Sequence, residues 1–136
     1  ALFRELHIED KLNYPFHILS KGERQNVLIA RAFMGQPSIL LLDEPCSGLD
    51  IVAREKFLQT VTDLAETNKT TILYVTHYTE EILTNVFRKA LLLRDGLCYA
   101  QGDTEALFCS AMMSDFLRYD VSVATSDSYG FKVRLK

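Results

Sequence analysis

No glycine in this 136-residue chain is followed by lysine; the residues after the six glycines are Glu23, Gln36, Leu49, Leu97, Asp103 and Phe131. A P-loop needs glycine, then lysine, then serine or threonine, so that backbone amides cradle phosphates while the lysine reaches the terminal ones. The chain therefore lacks the means to hold a triphosphate alone. Cysteine is scarce. Cys46, Cys98 and Cys109 are odd in number, widely spaced and free of any CxxC pair, which argues against a disulfide framework or zinc site and for a reducing compartment, so the cytosol is expected. Long apolar runs are absent too: residues 39–42 and 90–93 are strand-sized, far short of the roughly 20 residues a membrane helix requires. Basic excess is missing. With 15 Lys and Arg against 18 Asp and Glu, net charge −3, there is no electrostatic support for wholesale binding to nucleic acid or an anionic membrane. No signal-peptide pattern opens the chain, and Ala1-Leu2-Phe3-Arg4-Glu5 reads as the interior of a longer sequence.

What is present fits one α/β globular domain, with 48% apolar and 24% charged residues. Residues 1–12 have helical character through Leu2, Phe3, Leu6 and Leu12, broken at Asn13-Tyr14-Pro15. Ser20 followed three residues later by Glu23 forms a capping box, and the helix it opens stops at Gly35-Gln36-Pro37. Residues 39–43 form a continuous apolar run between Pro37 and Pro45, which predicts a strand buried on both faces of a parallel sheet. An amphipathic helix is expected from Ile51 to about Asn68, ending at the Asn68-Lys69 turn, and a second buried strand at 70–76. Next come a short helix from Thr79 to about Phe87, a hairpin at 89–94 and 97–101 turning on Asp95-Gly96, and a helix from Gly102-Asp103 to about Tyr119. The tail, 121–136, alternates around Ser126-Asp127-Ser128 as a second hairpin would.

Strand, long helix, strand is a βαβ unit with a right-handed crossover, and ligands bind such sheets beyond the strands' carboxyl ends. Asp43, Glu44 and His77 all fall there. Asp43 can hold Mg²⁺ through its water shell, and Glu44 can orient and polarise a water for attack on a γ-phosphate. An isolated acid pair after a strand more often caps a turn, and an isolated histidine at a strand end is more often structural; their convergence favours chemistry. Ser20, Lys21, Gly22 and Glu23 occupy a helix amino end, where unpaired N–H groups and the helix dipole attract anions. Taken alone they are a plain capping box. Asp50 is expected to cap the long helix and also to lie at an interface.

With these residues in view, the chain resembles the ATP-binding cassette (ABC) ATPases. Leu19-Ser20-Lys21-Gly22-Glu23-Arg24-Gln25 resembles the signature motif, residues 39–44 the Walker B strand with its catalytic glutamate, residues 47–50 the D-loop, and His77 the switch histidine. The resemblance spans about residues 1–119 and implies the following. The fold is a partial P-loop NTPase-like domain, with parallel strands, flanking helices and C-terminal hairpins. Residues 1–37 carry the signature helix in a helical subdomain portion, 38–119 the Walker B and switch portion, and 120–136 an extension. ATP and Mg²⁺ are the implied ligands, with ATP sandwiched head-to-tail between two such domains. Ser20 and Gly22 then touch the partner's nucleotide, with Lys21, Glu23 and Asp50 beside them, while Asp43, Glu44 and His77 act on the chain's own.

Three departures accompany the resemblance. Lys21 replaces the usual first glycine of the signature pair, Cys46 stands where a small hydroxyl residue is more usual, and the P-loop, adenine-stacking aromatic and Q-loop that precede the signature are absent. The implied function is energising a transporter, at the inner face of the cell membrane where membrane-spanning subunits hold it. The rivals are a soluble ABC ATPase acting on ribosomes or DNA, and a truncated module that donates its signature in trans.

Overall fold

Ser20 starts the first long helix by exchanging two hydrogen bonds with Glu23: its Oγ accepts from the Glu23 N–H at 3.3 Å, and the Glu23 carboxylate accepts from the Ser20 N–H at 2.8 Å. The computed structural model describes residues 2–67, 70–125 and 130–136, grouped into two units, Ala1–His77 and Tyr78–Lys136. In the first unit, α1 is Leu2–Glu5 and α2 is Lys21–Met34, closed by Gly35 as expected. The helical character of residues 1–12 is cut short. Leu6 and Ile8 are both buried, and an α-helix cannot turn residues two apart onto one face. His7 between them takes φ 53°, and a 3-10 turn follows at Glu9–Lys11.

Strands β1 (Ile39–Asp43) and β2 (Thr71–Val75) pair in parallel, with Leu41 opposite Leu73 and Asp43 opposite Val75. Helix α3 (Ile51–Thr67) connects them, giving the expected βαβ order. The Asn68-Lys69 turn lies outside the described residues. Burial on both faces is not found. Leu40 and Leu42 are buried, whereas Ile39 and Leu41 are 65% and 60% exposed, and Leu73 and Val75 are exposed on the partner strand. Successive side chains point to opposite faces, and the sheet of two strands is covered on one of them, so a continuous apolar run yields an alternating burial pattern. On α3, Phe57, Leu58, Val61 and Leu64 are buried. The buried hydroxyls of Thr60 and Thr62 donate to the Lys56 and Leu58 carbonyls one turn back, which satisfies them locally.

In the second unit the helix expected from Thr79 to about Phe87 shrinks to a 3-10 turn, Thr79–Glu81. The Thr79 hydroxyl donates to the Phe131 carbonyl, and Ile82 turns extended at ψ 93°. The hairpin is found as β3 (Lys89–Arg94) and β4 (Leu97–Asp103), with Asp95 and Gly96 at φ 54° and 77°, the positive angles a two-residue hairpin turn prefers. The expected helix to Tyr119 divides into α4 (Thr104–Leu107) and α5 (Ser110–Leu117). Phe108 leaves helical geometry at ψ 49°, and its buried ring stacks on Phe131 with centroids 4.7 Å apart, so packing overrides helix continuity here. Strands β5 (Val121–Thr125) and β6 (Phe131–Leu135) form the second hairpin; Ser126-Asp127-Ser128 lie outside the described residues. Val121, Phe108, Met113 and Phe131 centre this unit's core. No described helix is long and apolar enough to cross a membrane.

Candidate functional site

Parallel pairing brings the ends of β1 and β2 side by side and with them three of the candidate residues. Asp43 is the last residue of β1 and is exposed. Glu44 continues the ladder by donating its N–H to the Val75 carbonyl at 2.9 Å, then turns at φ 42°. Positive φ is uncommon for a residue without glycine's freedom, and proline at the next position restricts the backbone further. Sparsely populated backbone of this kind persists where the surroundings hold it, and it concentrates at functional sites. Here it presents the carboxylate to His77, whose Nδ1 lies 3.0 Å from Glu44 Oε1. An ionised carboxylate only accepts, so Nδ1–H is the donor and any contact of the imidazole with a phosphate goes through Nε2.

A second group gathers at the amino ends of α2 and α3. Ser20, Gly22, Glu23 and Asp50 line one cleft of about 600 Å³. Asp50 Oδ1 accepts from the Ala53 N–H at 2.8 Å and so caps α3 as expected. A Cβ on Gly22 would sit 3.4 Å from the Ala53 Cβ, about van der Waals contact, so the two helix starts lie against each other here. The Glu23 carboxyl is held below its ordinary range, chiefly by the Ser20 backbone N–H, then by the Ser20 side chain, with Lys11 adding a smaller effect at 3.4 Å. Lys21 does not line the cleft. Its Nζ lies against Gly48, at the place a side chain there would occupy, and Gly48 has φ 67°. Cys46 is buried with its Sγ 3.3 Å from the Tyr74 hydroxyl, in keeping with a packing role, and none of the three cysteines is in a disulfide.

The candidates thus fall into two sets, Asp43, Glu44 and His77 at the strand ends and Ser20, Gly22, Glu23 and Asp50 around the cleft, with Lys21 turned to Gly48 instead. The sequence reading passed over Asn26 and Lys56, which also line the cleft. Helical spacing offered the signal, since Asn26 stands three residues after Glu23 and Lys56 three after Ala53.

Comparison with known proteins points to one family. A family described as ABC transporter matches residues 1–47, which include the signature and β1. The ABC transporter ATP-binding protein YlmA of Bacillus subtilis (strain 168), itself named as uncharacterized, is 44% identical over 98% of this chain and 51% of its own length. The chain belongs to the ABC ATPase nucleotide-binding domains. The molybdenum import ATP-binding protein ModC of Aliivibrio fischeri (strain ATCC 700601 / ES114) is 36% identical over 82% of the chain and 30% of its own length. An ABC transporter solved in an inward-facing conformation superposes with a TM-score of 0.84 at 26% identity, over 99% of this chain and 55% of that one. The chain spans about half the length of YlmA, and that similarity takes in the tail beyond residue 119 that the motif resemblance leaves out.

Proposed function

We propose that this chain supplies the signature and hydrolytic residues of an ATP-hydrolysing domain that energises a transporter. The observation that carries the reading is the Glu44–His77 contact at 3.0 Å, beside Asp43, at the carboxyl ends of two adjacent parallel strands. In this reading Glu44 is the base that orients and polarises the attacking water, and His77, its tautomer fixed through Nδ1, meets the γ-phosphate. Asp43 holds Mg²⁺. Among the described residues no three His, Cys, Asp or Glu side chains converge as a metal cage, and a single exposed carboxylate fits an ion that takes most of its ligands from water and phosphate. When bound, the ion neutralises charge on the phosphate oxygens.

Ser20, Lys21, Gly22, Glu23 and Asp50 serve a nucleotide held by a second ABC domain in a head-to-tail pair. The separate cleft supports this division, because neither Glu44 nor His77 lines it. Residues 1–37 form the signature-bearing portion, 38–119 the hydrolytic portion and 120–136 an extension. The names of YlmA and ModC support membrane-spanning subunits as further partners, which would place the protein at the cytoplasmic membrane face.

Glu44→Gln in the complete protein tests the reading. Turnover should fall by about 100-fold or more while ATP still binds, because the amide keeps the shape but accepts no proton. Hydrolysis near the parent rate would remove Glu44 from this role.

A further inference from the structure

Lys21 is the first residue of α2 and is exposed, so its charge stands at the helix end where the macrodipole already presents positive potential. Cations are favoured at the other end. The carboxylates along the neighbouring cleft do not offset it: Glu23 accepts from the Ser20 N–H and pairs with Lys11, Asp50 accepts from the Ala53 N–H, and Asp63 accepts from Gln59. Among the described residues no carboxylate pairs with Lys21. Its ammonium instead occupies the space that Gly48 leaves, with Cε 3.6 Å from where a Cβ would stand, in the loop three residues before α3 begins. That hold is loose. A glycine offers no counter-charge, and lysine carries a compact point charge on a flexible four-carbon stem. Gly22, the next residue, lies against Ala53, so the amino ends of α2 and α3 adjoin beside the same lysine.

We propose that Lys21 is a movable cation of the signature, resting on Gly48 and leaving it for the phosphates of the nucleotide held by the second domain. The inference rests on the reading of the signature as a contact for the partner's nucleotide and assigns one of its residues a separate role. Glycine, the residue usual at this position, can offer a phosphate only its backbone N–H. Lysine adds a full charge that acts over several ångströms and is screened by salt. Nucleotide-driven pairing of the two domains should therefore depend on the charge of residue 21, and most strongly at low ionic strength.

The test uses the complete protein carrying Glu44→Gln, with pairing followed by sedimentation velocity as ATP and Mg²⁺ are added. Lys21→Met keeps the length of the stem and removes the charge, whereas Lys21→Arg keeps the charge; both change an exposed side chain, and equal melting temperatures check that the fold is intact. At about 50 mM salt, Lys21→Met should raise the ATP concentration for half-maximal pairing about five- to tenfold, with Lys21→Arg within about twofold of the parent. At about 0.5 M salt the gap between Lys21→Met and the parent should close to less than about twofold. A gap below about twofold at low salt overturns the proposal, as does one of equal size at both salts or an equal loss in Lys21→Arg. The parent separates this failure from that of the underlying reading. If the Glu44→Gln protein does not pair on adding ATP, the head-to-tail reading falls and the inference with it, whereas ordinary pairing beside an unaffected Lys21→Met removes the role of Lys21 alone.

Discussion

Single residues in this chain do two kinds of work, and Gly48 with Lys21 shows how they meet. Gly48 is required at φ 67° by the loop between β1 and α3, and the Lys21 ammonium lies in the space its missing side chain leaves. Gly48→Ala should cost about 1–2 kcal/mol from the left-handed backbone alone. Because the far end of lysine moves aside easily, adding Lys21→Gly should recover little of that loss. Urea-denaturation midpoints of the single and double variants check both statements, and full recovery in the double variant would make the clash the dominant effect. The sequence marked Lys21 as a replacement for the usual first glycine of the signature pair; its neighbour across the fold was not legible, because residues 21 and 48 are brought together by the packing of α2 near α3.

At the level of elements, local chemistry was the readable part. The capping box of α2, the cap of α3 by Asp50 and the Asp95-Gly96 turn all depend on residues within four positions of one another. The Glu23 carboxyl, with its pKa depressed in the fold, stabilises fully above the ordinary glutamate value and loses that contribution as pH falls through the depressed one. Glu23→Ala should therefore destabilise by about 1 kcal/mol near neutral pH, with the gap from the parent closing in acid, as urea midpoints across a pH series would show. A gap independent of pH would mean the carboxylate charge contributes nothing. Distant partners intervened where two elements were misread: the Phe131 carbonyl holds the Thr79 hydroxyl at the start of the shortened turn, and Phe108 broke the helix after β4 to stack on Phe131.

For the molecule as a whole, the chain carries the residues proposed for hydrolysis without a glycine-lysine phosphate cradle, since no glycine is followed by lysine. The chain as given should show no measurable ATP hydrolysis, and robust turnover by it in a phosphate-release assay would overturn that reasoning. The exposed face of β1 and β2, with Ile39, Leu41, Leu73 and Val75, is a feature of the same scale. Residue order, motif spacing and the capping pattern determined the βαβ unit and the placement of Asp43, Glu44 and His77 at strand ends, because helix starts, apolar runs and turn residues act over a few positions. Only the tertiary structure decided that β1 has one covered face, that Glu44 takes a left-handed backbone to meet His77, that Lys21 lies on Gly48, and that the tail holds Thr79. Each of these depends on groups far apart in sequence, and which ones meet is settled by packing, register and hydrogen-bond satisfaction across the fold.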